Sequence, residues 1–208
     1  MDIPSKLSDK LEPLPIDQLD GRSQEAAIKL GSQGYEVMVG LTPEYAQQIM
    51  KMCQEPAIRE YCPMDSIKRF KDLEATEQWL AKKPRAIFLL LKKTDNGLVL
   101  AGYAWTGRST SEQVPGGQTT FALRVGEIGH GQGLAAPFSW LTITASAKLY
   151  DIADFWLETW ESNGAAVHIY HKLGFEDVAK MPGQRKRLDS EPVDDTRIYM
   201  RLPSISAK

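Results

Sequence analysis

Apolar residues recur along this chain with two periods, and the change of period marks its elements. Phe121, Leu123 and Val125 alternate as a strand does. Soon afterwards Leu134, Phe138, Leu141, Ala145 and Leu149 follow one another at the spacing of one helix face. Between the two lies a turn holding Gly126, Gly129, Gly131 and Gly133. Small residues let a backbone approach a ligand closely, and a helix start offers unpaired N–H groups and a positive dipole end. Strand, glycine turn and helix start together make an anion site, most often for phosphate.

The rest of the chain supplies the frame. Residues 1–33 are polar, with a short helix over Gln24–Leu30 stopped by Gly31, and read as an appendage. Tyr35–Val39 alternates as a strand. Thr42, Pro43 and Glu44 then start a helix that runs to about Gln54. Residues 55–73 are mixed. Thr76–Lys83 reads as a helix ended before Pro84. Ala86–Lys93 and Leu98–Arg108 flank Thr94-Asp95-Asn96-Gly97, a hairpin signal. After the long helix, Ala153–Trp160 is strand-like. Asn163 caps a helix over Gly164–Leu173, and Gly174 ends it. Two more strands follow, near Phe175–Lys180 and Thr196–Leu202. This order predicts one α/β domain over residues 35–202, built on a mixed sheet of about seven strands.

Composition narrows the function classes. With 208 residues, 42% of them hydrophobic and 25% charged, the chain reads as an ordinary globular protein. A formal charge of -2 predicts no nucleic-acid partner, and is no signature of a strongly cationic or anionic substrate. Cys53 and Cys62 are the only cysteines, so there is no disulfide framework and no four-cysteine metal site. No apolar run is long enough to span a bilayer, and the first residues lack the apolar stretch of a signal peptide. A reduced, cytoplasmic location without membrane association is the expectation.

Two ligands suit the glycine turn. Gly131-x-Gly133-x-x-Ala136 fits a relaxed dinucleotide fingerprint, but a Rossmann domain needs several parallel strands afterwards. Only about 70 residues remain, and a hairpin precedes the turn. A turn that merely changes direction is the bland reading. A second motif weighs against both. The window His130-Gly131-Gln132-Gly133-Leu134-Ala135 resembles the signature of the GNAT superfamily of acetyl-CoA-dependent N-acetyltransferases, with Gly133 and Ala135 in its two small positions. Val125 stands where that family ends the preceding strand. Asn163, Ala166, Ile169, Tyr170, Gly174 and Phe175 fill every position of a second family pattern. Around LETWESN the chain is similar to the ribosomal-protein alanine acetyltransferases.

The resemblance implies a GNAT-type domain whose fourth and fifth strands splay around the pantetheine arm of acetyl-CoA. Leu123 and Val125 would pair with that arm. His130, Gly131, Gln132, Gly133, Leu134 and Ala135 would hold the pyrophosphate, and Asn163, Ala166 and Tyr170 would complete the cofactor side. His130 departs from the family's Arg/Gln; a neutral imidazole offers one donor where arginine offers several. Acyl transfer to an amine needs a base, an oxyanion donor and a proton for the leaving thiolate. The Val125 N–H is the expected oxyanion donor and Tyr170 the acid. Glu158 is the expected base, on the strand face of Trp156 and Trp160, whose apolar surface would raise its pKa; Glu127 is its rival. Histone-type members carry their base at a position occupied here by Thr119. His168 and His171 lack a third ligand, so no metal is expected. Trp79, Tyr103 and Trp105, with loop 109–118, are candidates for the acceptor pocket. The acceptor would be a small-molecule amine or a peptide N-terminus, and a homodimer is one assembly open to such a chain. A non-catalytic acyl-CoA-binding module on the same fold is the alternative; a nucleotide-dependent enzyme is a third reading.

Overall fold

The run Ala86–Leu91 is buried along its whole length. In the computed structural model, which describes residues 2–188 and 190–202, it lies at the heart of an eight-stranded sheet. Its side chains alternate. Ala86, Phe88 and Leu90 enter a core on one face, and Ile87, Leu89 and Leu91 enter a second core on the other. A strand covered on both faces carries an uninterrupted apolar run.

The strands are β1 (Glu12–Pro13), β2 (Tyr35–Val39), β3 (Ala86–Thr94), β4 (Gly97–Arg108), β5 (Thr119–Val125), β6 (Phe155–Trp160), β7 (Glu176–Arg185) and β8 (Val193–Leu202). Their spatial order is β1-β2-β3-β4-β5-β6-β8-β7. Every neighbouring pair is antiparallel except β5 and β6. The strand beyond the expected seven is β1, whose Glu12 and Pro13 pair with Val39 and Met38. The β3–β4 turn forms as Asn96-Gly97 predicts: Thr94 faces Gly97, whose φ of +109° suits glycine.

The helices are α1 (Gly21–Ser32), α2 (Pro43–Met52), α3 (Pro56–Tyr61), α4 (Leu73–Lys82), α5 (Ala135–Tyr150) and α6 (Gly164–Leu173), with a π-helical turn at Asp65–Arg69. The first core lies under α1, α5 and α6; the second lies under α2, α3 and α4. The helix starts follow their caps. Asp20 accepts from the Ser23 N–H at 2.7 Å, Thr42 Oγ1 from Tyr45 and Asp72 from Ala75. The Asp20 cap starts α1 three residues before the expected Gln24, and Gly31 lies inside the helix. Likewise α4 starts at Leu73 rather than Thr76, because Asp72 caps it, and α2 ends at Met52. Residues 2–33 pack against the sheet and α5. Ala26 and Leu30 enter the first core, and Ser23 Oγ meets Thr144 Oγ1 of α5 at 2.9 Å. Consequently α5 is buried on more than the one predicted stripe; Ile143, Thr144 and Ser146 are buried as well. Among the described residues, no helix is long and apolar enough to cross a membrane.

Candidate active site

The parallel neighbours β5 and β6 touch at one register position, Thr120 opposite Trp156. Each is paired along its outer edge, β5 with β4 and β6 with β8. Beyond Thr120 and Trp156 the two strands part, leaving a wedge in the middle of the sheet. The Gly126 N–H donates to the Ala101 carbonyl of β4 at 2.9 Å. Ladder alternation therefore turns the N–H and C=O of Val125 and Leu123 the other way, toward the wedge. Sheet interiors do not normally leave such an edge open, because unpaired backbone groups are costly when buried.

At the wide end of the wedge the chain turns into α5. Gly131 and Gly133 have φ of +72° and +68°, and nothing crowds a Cβ built at either. Backbone conformation, not space, is what demands glycine there. Gln132 is tied back to the protein: its side-chain oxygen accepts from Tyr35 Oη at 2.8 Å and its amide nitrogen donates to the Ile128 carbonyl at 2.8 Å. Tyr35 is buried and anchors the loop from the far side. The N-cap of α5 is Leu134, which makes no side-chain cap bond. The N–H groups of Ala135 and Ala136 thus open the helix without a capping oxygen, and Pro137 has none to offer. His130 is exposed at the loop surface.

From the first-core side, α6 closes the wedge. Asn163 Oδ1 accepts from Ala166 N–H at 3.3 Å, and Gly174 ends the helix at φ +98°. Tyr170 packs on Phe121 and Phe175, with ring centroids 6.3 and 5.8 Å away. Burial pushes its phenol up to about 12, with the charge of Arg124 opposing. The hydroxyl therefore stays protonated at neutral pH and within electrostatic reach of Arg124 and Cys62, which belong to the opposite face. His171 of α6 is held by Asp177 at 2.7 Å.

The opposite face of the wedge is crowded with charge. Asp65, in the π-helical turn, is fully buried. It accepts from Arg124 Nε at 2.8 Å, from Tyr103 Oη at 2.8 Å and from Arg69 Nη1 at 2.5 Å. Burial alone would raise its carboxyl; together the Arg124 and Arg69 guanidiniums outweigh it and hold the group below the usual carboxylate range. Arg124 Nη1 also donates to the Leu123 carbonyl at 2.7 Å, on the wedge edge itself. Tyr103 and Trp105 are buried, and both contribute to an aromatic stack with Phe70 and Trp79. They are core residues first, and Tyr103 turns its hydroxyl to Asp65. Loop 109–118 lies over the start of β6: Trp156 Nε1 donates to the Ser109 carbonyl at 2.7 Å, and Arg201 Nη1 to the Pro115 carbonyl at 3.0 Å.

Glu158 stands on this face of β6, between Trp156 and Trp160, as alternation predicts. Its surroundings differ from the expected apolar ones. Both tryptophans are buried, yet the Glu158 carboxylate is half-exposed and accepts from Arg197 Nη1 at 2.8 Å. Arg197 in turn lies 3.7 Å above the Trp160 ring. The antiparallel register brings these partners in, since β8 places Arg197 opposite Trp160 and Tyr199 opposite Glu158. Glu127, the rival, is exposed, and its backbone N–H is held by Glu55 at 2.7 Å. α3 is tied to the far end of the sheet: Arg185 of β7 binds Glu60 of α3 at 2.6 Å, and Tyr61 Oη donates to the Ser162 carbonyl, just past β6, at 3.3 Å.

Sequence reading brings out the backbone half of this site and misses Tyr35, Asp65, Arg69, Arg124 and Arg197. One signal was present. Arg124 is a lone cation inside the apolar strand Phe121–Val125, and a largely buried guanidinium requires a carboxylate partner. Nothing in the residue pattern indicates that the partner is Asp65, 59 positions earlier.

No protein-family model matches the sequence, and no curated protein does. Solved structures do match. A GNAT-family acetyltransferase from Streptococcus pneumoniae is 17% identical, with a TM-score of 0.58 over 79% of this chain and 98% of that one. Ribosomal-protein-S5-alanine acetyltransferase from Vibrio fischeri is 16% identical, with a TM-score of 0.64 over 84% and 96%. Spermidine N-acetyltransferase from Vibrio cholerae, in complex with CoA and spermine, is 15% identical, with a TM-score of 0.62 over 82% and 96%. The chain has the fold of the GNAT acetyltransferases, with the splayed strand pair in the place the sequence motifs assign to it.

Proposed function

We propose that the chain is an N-acetyltransferase that moves an acetyl group from acetyl-CoA to a primary amine by direct transfer. The observation that carries this reading is the wedge. A backbone edge at Leu123 and Val125 that no strand pairs runs into a positive-φ glycine loop and an uncapped helix start, which is the shape an extended amide-bearing arm ending in a pyrophosphate requires. The structural likeness to acetyltransferases, one of them a CoA complex, supports it.

In this reading His130 to Ala135 hold the pyrophosphate, chiefly through backbone N–H groups, and Asn163 and Ala166 shape the start of α6 beside it. Bound acetyl-CoA supplies the activated acetyl carbon. Val125 presents its N–H to the developing oxyanion. Tyr170 keeps its proton at neutral pH and gives it to the departing sulfur, with the nearby Arg124 charge favouring the thiolate. Glu158 receives the proton of the amine, held in place by Arg197. The test is acetyl-CoA-dependent thiol release over a panel of amines, with acetyl-CoA binding measured by calorimetry. Turnover of at least one amine is expected. Tight binding without turnover on any amine would favour a non-catalytic acyl-CoA module; preferential binding of NAD or ATP would contradict the CoA reading.

A further inference from the structure

Among the described residues, Arg85 is a cation without a counter-charge. Its side chain is buried, at 4% exposure, and no carboxylate of the described residues pairs with it. Its Nη1 donates only to the neighbouring Pro84 carbonyl at 3.0 Å, and its Nε has no hydrogen-bond partner among the described residues. Burial, with the Arg69 charge next, pushes it down to about 10. The site is nevertheless shaped to receive this guanidinium. Gly107 leaves room for it: a Cβ there would fall 2.5 Å from Arg85 Nη1. Trp105 and Trp79 flank it, with ring centroids 5.0 and 5.8 Å from the guanidinium carbon. Arg69 lies 5.6 Å from the same Trp105 ring and remains partly exposed. Three guanidiniums, Arg69, Arg85 and Arg124, thus share this face with one buried carboxylate, Asp65. Buried charges are ordinarily paired, and an unpaired one is expensive. Trp105 stands opposite Ala122 of β5, so the charge surplus lies beside the wedge.

We propose that this face holds an anion site between Arg69 and Arg85 beside Trp105, and that the amine acceptor carries a carboxylate or phosphate that binds there. The second half rests on the acetyl-transfer reading; the site itself does not. A guanidinium recognises either anion with paired N–H donors, and the indole surface suits a short apolar arm between the anion and the amine. The same surplus repels a polyamine, so the acceptor differs in kind from the spermine found with the Vibrio cholerae neighbour.

The test uses the full chain and four probes: glutarate, inorganic phosphate, neutral glutaramide and the dication cadaverine. Calorimetry on the wild type is expected to show glutarate or phosphate binding with a dissociation constant below about 1 mM, and no binding of glutaramide or cadaverine. Which anion binds separates the carboxylate source from the phosphate source. The arginine Nε–H signal of Arg85, followed by NMR, is expected to move with that anion. Arg85→Met and Arg69→Gln are each expected to weaken it at least tenfold. Absence of binding by both anions overturns the site, as does an Arg85 signal that stays fixed or unchanged affinity in both variants. The wild-type NMR result decides even where a variant fails to fold. Anion binding with no turnover of any amine leaves the site standing and removes acetyl transfer; turnover with no anion binding does the reverse.

Discussion

The two sides of the wedge are built from different materials. On the α5–α6 side the candidate groups belong to the backbone: the Leu123 and Val125 edge, the positive-φ glycines 131 and 133, and the open start of α5. On the α2–α4 side they belong to side chains: Asp65, Arg69, Arg85, Arg124 and Glu158, gathered from the π-helical turn, the segment just before β3, and the strands β5 and β6. A backbone site is specified by local conformation, so it leaves a short motif. A side-chain site is specified by tertiary packing, so any residue of suitable reach serves, and it leaves none. The same division suits the proposed chemistry, where one side holds an invariant cofactor and the other a particular acceptor.

The largest test of this contrast is Asp65→Ala. It strands Arg124 and Arg69, and removal of one partner from a buried ion network is expected to lower stability by about 3–5 kcal/mol in denaturant unfolding. Adding Arg124→Met is expected to recover part of that loss; a loss below about 1 kcal/mol would show that the charge cluster is not structural. The pH dependence carries the same sign. Asp65 is held below its ordinary 3.8, so its stabilisation is present above that value and is lost as pH falls through the folded-state value. At the other limit Tyr170 is raised from 10 to about 12 and Cys53 from 9 to about 12 by burial. Their stabilisation is present below the ordinary values and is lost as pH rises through 12. An acid limb that persists unchanged in Asp65→Asn would contradict the assignment.

Next in size is Glu158→Gln, expected to lower kcat about a hundredfold while the KM for acetyl-CoA holds. A matching loss in Glu127→Gln would transfer the base role to the rival. On the backbone side, Gly133→Val forces a β-branched residue to a φ of +68°. It is expected to weaken acetyl-CoA binding about tenfold, with the cost in stability limited to about 1–2 kcal/mol. The smallest effect belongs to Tyr35→Phe, which removes the bond to Gln132 and is expected to cost about 1 kcal/mol of stability, with a slight loss of cofactor affinity.

What sequence reading could and could not reach follows the same division. The hairpin at Asn96-Gly97, the Asn163 cap and the Gly174 stop are each decided within a few residues, and each forms. The start of α1 escapes the apolar pattern because Asp20 caps it further upstream, and its role in the first core escapes it because Ala26 and Leu30 are few among polar neighbours. Alternation is local, so it puts Glu158 on the correct strand face; its arginine partner is out of reach, since the β6–β8 register that delivers Arg197 is tertiary. The balanced net charge concealed the surplus at Arg69, Arg85 and Arg124 for the same reason: composition averages over what packing gathers.

The most direct measurement is a calorimetric titration of the intact chain with acetyl-CoA, repeated on Gly133→Val. One-to-one binding with a dissociation constant of about micromolar order, weakened about tenfold in the variant, is the predicted result. No binding of acetyl-CoA, or equal binding by both proteins, would contradict the claim that the wedge and its glycine loop hold the cofactor.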